Sequence, residues 1–332
     1  MAKEWTTEEI MAATGGYQSA CVLFAAADLD IFSILAAKPM TAHALAAKLG
    51  TDHRATVIVL DALAAMELLT KRSAKYDVPR TVAELLTEKG AKCVLPMVRH
   101  RANCLRRWVH LPQVTECGKP AEDLLSIRGE AADQAAFIGA MKNFSSSIAA
   151  EIVSELHQLS FRHLLDIGGA SGTWTIAFLQ AAPEANATLF DLPDVIPMAR
   201  KSIAQAGLSD RVTFVKGDFY TDDLPAGSDL VWLSAIAHQN SREQNRALFA
   251  KIYGALEEEG VLVLRDVIMD QSRTQPKTGA MFAVNMLVAT EGGGTYTFEE
   301  FHSDLMDTGF TDVTLLRQDE FMNSLIRATK LL

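Results

Sequence analysis

The chain has 332 residues, hydrophobic residues make up 49% of it, and its formal net charge is −10. This length exceeds one ordinary domain and suits two, and the acidic balance argues against nonspecific binding to nucleic acid or to an anionic membrane. No apolar run approaches the roughly 20 residues of a membrane span, and the start MAKEWTTEE lacks a signal-peptide pattern. The four cysteines lie far apart without metal-ligand spacing, so we expect a cytoplasmic protein with reduced thiols, no metal, and no nucleic-acid or membrane partner.

The first hundred residues are predicted to be mostly helical, because alanine and leucine recur there at three- and four-residue spacing. TAHALAAKLG predicts a short helix that ends at Gly50, and TDHRATVIVLDALAAMELL predicts a second helix. Thr41 and Thr51 are the predicted N-caps of these helices. TKRSAKYDVP then predicts a hairpin, and this order of elements is typical of a winged-helix module.

A winged helix usually indicates DNA binding, and its recognition helix should then carry basic residues. The corresponding stretch 53–68 has Val57, Ile58 and Val59 but only one arginine, Arg54. This pattern favours a structural or dimer-forming role for the module. The arginine-rich stretch 99–110 that follows is interpreted as a solvated helix face, and a cationic patch that accepts an acidic substrate is the alternative.

The pattern changes near residue 161, where short apolar runs begin to alternate with helical runs. This alternation predicts a doubly wound, mostly parallel sheet with helices on both faces. The tail TDVTLLRQ and NSLIRATK predicts two antiparallel strands after a helix with a capping box at Thr297 and Glu300. The predicted domains are 1–103, helical, and 104–332, α/β.

The loop after the first strand of the second domain reads HLLDIGGASG. It does not fit the GxGxxG fingerprint of dinucleotide sites, and Asp166 would repel a pyrophosphate. The pattern that fits is an acid followed by small residues, namely Asp166, Gly168, Ala170 and Gly172. A phosphate-free ligand with positive charge suits such a loop, and S-adenosylmethionine is a ligand of this kind.

Two further acids end the next two predicted strands. Asp191 lies 19 residues after Gly172, the usual distance for a carboxylate that binds ribose hydroxyls. Asp218 is placed to accept a hydrogen bond from an adenine amino group, and Phe219 to stack on the ring. Acids at the ends of successive parallel strands, beside a glycine-rich loop, predict a nucleoside site.

The motifs DIGGASG, FDLP, GDFY and AHQNSREQ, in this order, resemble the small-molecule O-methyltransferases of the caffeic-acid type and their bacterial relatives. The resemblance implies a winged-helix dimerisation domain, a class I methyltransferase domain, a homodimer, and S-adenosylhomocysteine as the product of the cofactor. The residues it assigns to cofactor binding are Asp166, Gly168, Gly172, Asp191, Leu192, Asp218, Phe219 and Ser145, and Ser234 completes the predicted set.

The resemblance places His238 where the family keeps its general base. A phenol has a pKa near ~10, so an imidazole with a pKa near ~6.5 can take its proton as the oxygen attacks. The family usually has a His-Asp-Trp triplet, whereas Gln239 and Asn240 follow the histidine here. Of the two acids that often orient the base, the first corresponds to Asp266 and the second is replaced by Thr295.

The substrate pocket is predicted between the helices before the sheet and the segment 281–296. Its candidate residues are Phe137, Met141, Phe282, Asn285, Met286 and Tyr296, whose aromatic and thioether side chains suit a flat acceptor. We therefore expect methyl transfer to a hydroxyl of an aromatic small molecule. Transfer to carbon or nitrogen, and a regulator that binds S-adenosylmethionine and DNA, are the alternatives.

Overall fold

The structure is a computed structural model that describes residues 3–331. The chain forms two compact units, each described by itself. Unit 1 comprises the chain up to Arg106 together with Leu124–Asn143, and unit 2 comprises Arg107–Asp123 and the chain from Phe144 onward. The sequence predicted two continuous domains, 1–103 and 104–332, whereas each of these units combines two segments of the chain. The predicted domain boundary stays a prediction.

Unit 1 is helical with a small antiparallel sheet of strand order β1-β3-β2. Its elements are α1 (Thr7–Gly15), α2 (Tyr17–Asp28), α3 (Ile31–Ala37), β1 (Met40–Thr41), α4 (Ala42–Leu49), α5 (His53–Ala65), β2 (Thr70–Arg72), β3 (Lys75–Asp77), α6 (Arg80–Leu86), most of α7 (Leu95–Trp108) and most of α9 (Glu130–Ser146). The two predicted helices and the hairpin of the winged-helix module are thus confirmed.

One predicted helix cap in unit 1 is right and one is wrong. Thr41 caps α4, since its side chain accepts a hydrogen bond from the backbone of Ala44. The N-cap of α5 is Asp52 and not Thr51, because the Asp52 carboxylate accepts from the Ala55 N–H at 2.8 Å. The carboxylate is the stronger acceptor for an exposed helix start.

The arginines of α7 are neither a free cationic patch nor uniformly solvated. Arg99 is 9% exposed and forms ion pairs with Asp30 and Glu88, at 3.2 and 3.3 Å. Arg106 forms an ion pair with Asp28. Both interpretations of the stretch 99–110 are therefore wrong for these two residues, whose charges are compensated inside unit 1.

One stretch of unit 1, Thr7–Asp28, is long and apolar enough to cross a membrane by length and composition alone. The sequence interpretation did not identify it, because it looked for an uninterrupted apolar run. Two helices, α1 and α2, occupy this stretch, with Gly16 between them. Core helices and signal sequences pass the same test, so the absence of a membrane partner stays a prediction.

Unit 2 is an α/β unit built on a seven-stranded sheet. Its elements are α8 (Leu111–Cys117), α10 (Ala149–Glu155), β4 (His163–Ile167), α11 (Thr173–Ala181), β5 (Asn186–Asp191), α12 (Ile196–Gln205), β6 (Val212–Lys216), β7 (Ser228–Ser234), α13 (Arg242–Ala255), β8 (Leu256–Asp266), β9 (Ile268–Met269), α14 (Lys277–Ala289), β10 (Tyr296–Thr297), α15 (Phe298–Asp307), β11 (Thr311–Arg317) and β12 (Ser324–Thr329). Short 3₁₀ turns occupy Ser209–Arg211 and Ala237–Gln239.

The order of the strands in the large sheet is β11-β12-β8-β7-β4-β5-β6. Strands β4 to β8 pair in parallel, and β12 is antiparallel to both β8 and β11. This confirms the predicted doubly wound sheet with its antiparallel C-terminal strand. The order of the strands reverses at β4, so ligands are expected at the carboxyl ends of β4 and its neighbours.

Alternate residues of the strands face two separate cores, one on each side of the sheet. One core contains Leu262 and Leu264 of β8 with residues of α13 and α15. The other contains Val263 of β8 and Trp232 of β7 with residues of α10, α11 and α12. Along β8, Arg265 lies on the same side of the sheet as Val263, and Asp266 lies on the same side as Leu264. The two residues therefore point to opposite sides of the sheet.

Candidate active site

The loop after β4 adopts a conformation that demands small residues. Gly168 and Gly172 have φ values of +67° and +76°, and Ala170 has a φ of +47° between them. A Cβ atom on Gly169 would lie 2.6 Å from Leu189 Cγ, closer than atoms can pack. The loop therefore brings bare backbone to the carboxyl end of the sheet, and the nucleoside site expected there stays a prediction.

Asp166 lies beneath this loop. Its side chain is buried, with 1% of the residue exposed, and the Thr175 hydroxyl donates a hydrogen bond to its carboxyl at 2.5 Å. Burial raises the pKa of Asp166 to about 7, and the nearby charge of Asp191 adds to this increase. The sequence expected a carboxylate presented to the ligand, whereas the structure turns it toward α11.

Asp191 connects the ends of β4 and β5. Its Oδ2 accepts from the Ala170 N–H at 2.7 Å, and its Oδ1 accepts from the Leu192 N–H at 2.7 Å. Burial raises the pKa of this carboxyl. Each oxygen keeps a second lone pair, so the geometry leaves acceptors for two hydroxyl groups. Leu192, beside it, is 47% exposed.

The loop after β6 carries Asp218 and Phe219, and hydrogen bonds from α13 hold it in place. Lys251 Nζ donates to the carbonyl oxygens of Phe219, Tyr220 and Asp222 at 3.0, 3.1 and 2.9 Å. Asp218 Oδ1 accepts from the Tyr220 N–H at 2.9 Å. Sequence reasoning did not identify Lys251, since it lies on a helix in an ordinary polar pattern.

His238 and Asp266 form a buried pair. His238 Nδ1 lies 2.9 Å from Asp266 Oδ1 and 3.1 Å from Oδ2. The carboxylate can only accept, so we assign the ring proton to Nδ1, which leaves Nε2 as an acceptor. The Phe282 ring lies edge-on to the imidazole, with centroids 4.8 Å apart. The structure thus brings the predicted base and its predicted acid together.

The two residues after His238 differ from the family triplet, and the second has a clear role. Asn240 is fully buried, and its Oδ1 accepts from the Tyr220 hydroxyl at 2.5 Å. Its Nδ2 donates to Asn245 Oδ1 at 3.0 Å, and Asn245 Nδ2 donates to the Ala237 carbonyl at 3.0 Å. These bonds join the loop after β6 to the turn that carries His238.

The remaining cofactor candidates lie in unit 2. Ser234 ends β7, and its hydroxyl accepts from Arg265 Nη1 at 2.9 Å. Ser145 lies in the last turn of α9 and is partly buried. Arg265 was missed by sequence reasoning, although an arginine at the end of the apolar run VLVLRD was a visible signal.

The substrate candidates fall into different environments. Asn285 Oδ1 accepts from the Trp108 Nε1–H at 2.9 Å. Met286 is 6% exposed, and the hydroxyl of Tyr296 donates to the Asn240 carbonyl. Phe137 and Met141 belong to unit 1, so the pocket that should join them to Phe282 stays a prediction. Thr295, where an acid was expected, is 4% exposed.

Within residues 3–331 no group of three or more His, Cys, Asp or Glu side chains could hold a metal ion.

Two family models match the chain. The O-methyltransferase domain matches residues 123–311, and the O-methyltransferase dimerisation domain matches residues 11–88. Together they cover both parts of the chain that the sequence motifs indicated.

Individual relatives are similar over most of their length. The 3-hydroxy-5-methyl-1-naphthoate 3-O-methyltransferase of Streptomyces sahachiroi is 29% identical, over 89% of this chain and 87% of the relative. The L-tyrosine C(3)-methyltransferase of Streptomyces lavendulae is 30% identical, over 90% of this chain and 85% of the relative. The crystal structure of human N-acetylserotonin methyltransferase in complex with SAM has a TM-score of 0.80 at 23% identity, with both chains fully covered. This last likeness confirms the fold class.

Proposed function

Because the chain belongs to the O-methyltransferase family, we propose that it transfers the methyl group of S-adenosylmethionine to a hydroxyl of an aromatic small molecule. His238 is the proposed general base, and Asp266 orients it. We further propose that the enzyme is a cytoplasmic homodimer that assembles through its N-terminal domain. Light scattering at micromolar concentration tests the dimer.

The residues at the carboxyl end of the sheet suit S-adenosylmethionine. The loop of Gly168 to Gly172 keeps its backbone bare, since a Cβ on Gly168 would clash with Ile236 Cδ1 at 2.7 Å. Asp191 offers free lone pairs to a ribose, and Asp218 and Phe219 stand at the neighbouring strand end. The chain would hold the cofactor with these residues and with Leu192, Ser145 and Ser234. When bound, the cofactor supplies an electrophilic methyl group on a sulfonium.

The observation that carries the proposal is the pairing of His238 with Asp266, at 2.9 Å. With Nδ1–H held by the carboxylate, Nε2 is free to accept the proton of an acceptor hydroxyl. Asp266, 1% exposed, then stabilises the imidazolium that forms. Phe282 limits the rotation of the ring by edge contact and leaves an apolar wall beside it.

The class of methyl acceptor is inferred from the apolar wall that Phe282 forms beside His238. Phe282 and Asn285 lie three residues apart on α14, so they share one face of that helix. The proposed pocket then combines an aromatic ring, an amide and the imidazole, which suits a flat ring with a hydroxyl group. The naphthoate named for the Streptomyces sahachiroi relative is an aromatic acid with a hydroxyl of this kind.

The test is a screen of phenols, quinols and hydroxynaphthoates with labelled S-adenosylmethionine, read by mass shift. We expect at least one phenol to gain a single methyl on oxygen, and His238→Ala to reduce that rate by about a hundredfold or more. His302→Ala, at a histidine in α15, is the matched control and should keep the rate. Full activity of the His238 variant would remove the base assignment.

Transfer to carbon or nitrogen is the second candidate. Gln239, Asn240 and Thr295 depart from the pattern expected for O-methyl transfer, and the relative with 30% identity is named a C-methyltransferase. An activated carbon or amine needs less help from a base. A product methylated on carbon or nitrogen, formed at an unchanged rate by His238→Ala, would favour this candidate.

A further inference from the structure

One side chain of the predicted substrate set, Asn285, is held in a defined orientation by an indole. Its Oδ1 accepts a hydrogen bond from the Nε1–H of Trp108 at 2.9 Å. Both residues belong to unit 2, where Trp108 is the last residue of α7 and Asn285 lies in α14. The two positions are 177 residues apart in the chain, so only the tertiary fold brings them together.

The indole determines which end of the amide faces it. An indole nitrogen can only donate a hydrogen bond, whereas a side-chain amide has one acceptor, Oδ1, and one donor group, Nδ2. A rotated amide would bring two donors face to face and leave the indole N–H without an acceptor. The Nδ2 of Asn285 therefore points away from Trp108. It forms no hydrogen bond to any other residue in the part of the chain that the structure describes.

The packing of α14 places this amide one helical turn from the residue that contacts His238. Gly279 is buried, and a Cβ there would lie 2.8 Å from Val267 Cγ1, so this side of the helix packs closely on the chain after β8. Phe282 comes next around the helix, with its ring centroid 4.8 Å from that of the His238 imidazole. Asn285 follows three residues later, which corresponds to about 5–6 Å between Cβ atoms.

The neighbour of Asn285 on its other side leaves space for a ligand. Met281 is 48% exposed, and Asn285 itself is partly buried. Because successive helical residues are rotated by about 100°, Asn285 lies between Met281 and Phe282 around the helix. A ligand that packs on Phe282 and reaches His238 therefore passes the free Nδ2 group and displaces water from it.

We propose that Asn285 is a specificity-determining residue that donates a hydrogen bond to a second oxygen of the methyl acceptor. Trp108 is the positioning residue that keeps the amide in the donating orientation. The inference rests on the proposed function, in which His238 takes the proton of the reacting hydroxyl. It narrows the class of acceptor from any phenol to hydroxyarenes that carry a carbonyl or carboxylate oxygen on the same ring system.

A ring without this second oxygen should bind less tightly. A donor that loses its water when the ligand binds, and gains no acceptor in exchange, is left unsatisfied. A site that donates a hydrogen bond therefore discriminates against an analogue of equal shape that lacks the oxygen. Because Asn285 is only partly buried, water can replace part of the lost bond, and we expect a preference of about tenfold.

The test compares the affinities of matched ligand pairs for the protein in complex with S-adenosylhomocysteine. The pairs are hydroxyacetonaphthones, with the acetyl group ortho or meta to the hydroxyl, and the ethylnaphthols in which CH₂ replaces the carbonyl. Each pair has nearly the same shape and no net charge, so the affinity ratio reports the hydrogen bond. Calorimetry should show at least one ketone binding about tenfold more tightly than its ethyl analogue.

Substitutions separate the donor from the residue that orients it. Asn285→Asp keeps an acceptor for the Trp108 N–H but removes the donor, so the preference for the ketone should disappear or reverse. Asn285→Leu removes both groups and provides the same measurement should the aspartate variant not fold. Trp108→Phe keeps an aromatic ring and frees the amide to rotate, so the preference should fall about threefold or more. Asn186→Asp makes the same charge change at an exposed asparagine and should keep the full preference.

Equal affinities of ketones and ethyl analogues for the unsubstituted protein, or no binding of either, would overturn the proposal. A tenfold preference that persists in Asn285→Asp or Asn285→Leu would overturn it as well. An unchanged preference in Trp108→Phe would overturn the role of the indole.

The affinity ratio does not depend on turnover, so its outcome is separate from that of the His238→Ala assay. A protein that prefers the ketones but methylates no phenol would refute the proposed reaction and keep the hydrogen bond of Asn285. A protein that methylates phenols without this preference would refute only the role of Asn285.

Discussion

The carboxylate of Asp266 contacts His238 at two places. One is the ring nitrogen Nδ1, 2.9 Å from Oδ1, and the other is the backbone N–H, 3.1 Å from Oδ2. The N–H of Val267 donates to Oδ1 as well, at 2.8 Å. One side chain therefore fixes both the ring of the histidine and the turn that carries it.

Asp266→Asn should reduce kcat by about a hundredfold or more, because an amide NH₂ facing Nδ1 favours the wrong tautomer. Initial rates with the phenol found by the screen measure the effect. Asp266→Glu keeps a carboxylate of the length the family usually has and should retain more activity. If the amide variant were as fast as the glutamate variant, Asp266 would not orient the base.

Asp166 should make the protein less stable as pH rises from about 4 to about 7. Burial raises its pKa from 3.8 to about 7 in the folded state, so the folded chain binds more protons than the unfolded chain in this window. The stabilising contribution of the neutral acid is complete below pH 3.8 and is lost as pH rises through 7.

Urea unfolding at pH 5 and pH 8 measures this dependence. Asp166→Asn should show a smaller loss of unfolding free energy between the two values than the unsubstituted protein. The pKa of Asp191 is raised too, so part of the loss should remain. Asp210→Asn, at an exposed carboxyl, is the control. An equal loss in Asp166→Asn and the unsubstituted protein would show that Asp166 titrates normally.

Lys251→Met should weaken cofactor binding roughly tenfold, since the loop of Asp218 and Phe219 loses three hydrogen bonds from one ammonium. Calorimetry with S-adenosylhomocysteine measures the affinity. Lys201→Met, at an exposed lysine, removes the same charge and should bind as before. Equal affinities for the two variants would mean that the loop keeps its shape without Lys251.

Gly169→Ala should destabilise the loop after β4 by about 1–3 kcal/mol, because its Cβ would lie 2.6 Å from Leu189 Cγ. Thermal unfolding with and without S-adenosylhomocysteine measures both stability and binding. Gly254→Ala in α13 is the matched control, since its Cβ would meet nothing within 4 Å. This control should gain up to about 1 kcal/mol from helix propensity. Equal melting temperatures would contradict the close approach at Gly169.

The sequence predicted those features that depend on neighbours along the chain. The strand HLLDI, its glycine loop and the order of strands and helices follow from local patterns, and the structure confirms the fold they imply. The contact between His238 and Asp266 was expected only because the family resemblance assigns a base and an orienting acid to these two positions. Spacing alone does not bring together two residues 28 positions apart.

The features that sequence reasoning missed depend on contacts between distant segments. The turn of Asp166 toward Thr175 depends on how α11 packs against β4. The bonds of Lys251 to the loop after β6 span about thirty residues, and those of Arg265 to Asn323 span 58. One sequence read by itself carries no local signal for such pairs, because each residue type fits its own helix or strand equally well without its partner.

The hydrogen bonds of Asn240 also limit how this enzyme can be redesigned. Placing the aspartate and tryptophan usual in the family at positions 239 and 240 would remove the amide that pairs with Tyr220 and Asn245. The loss matters most at Asn245, which is 1% exposed, because the Tyr220 side chain is 48% exposed and water can replace its partner. Substitutions at positions 240 and 245 are therefore expected to be tolerated better together than one at a time.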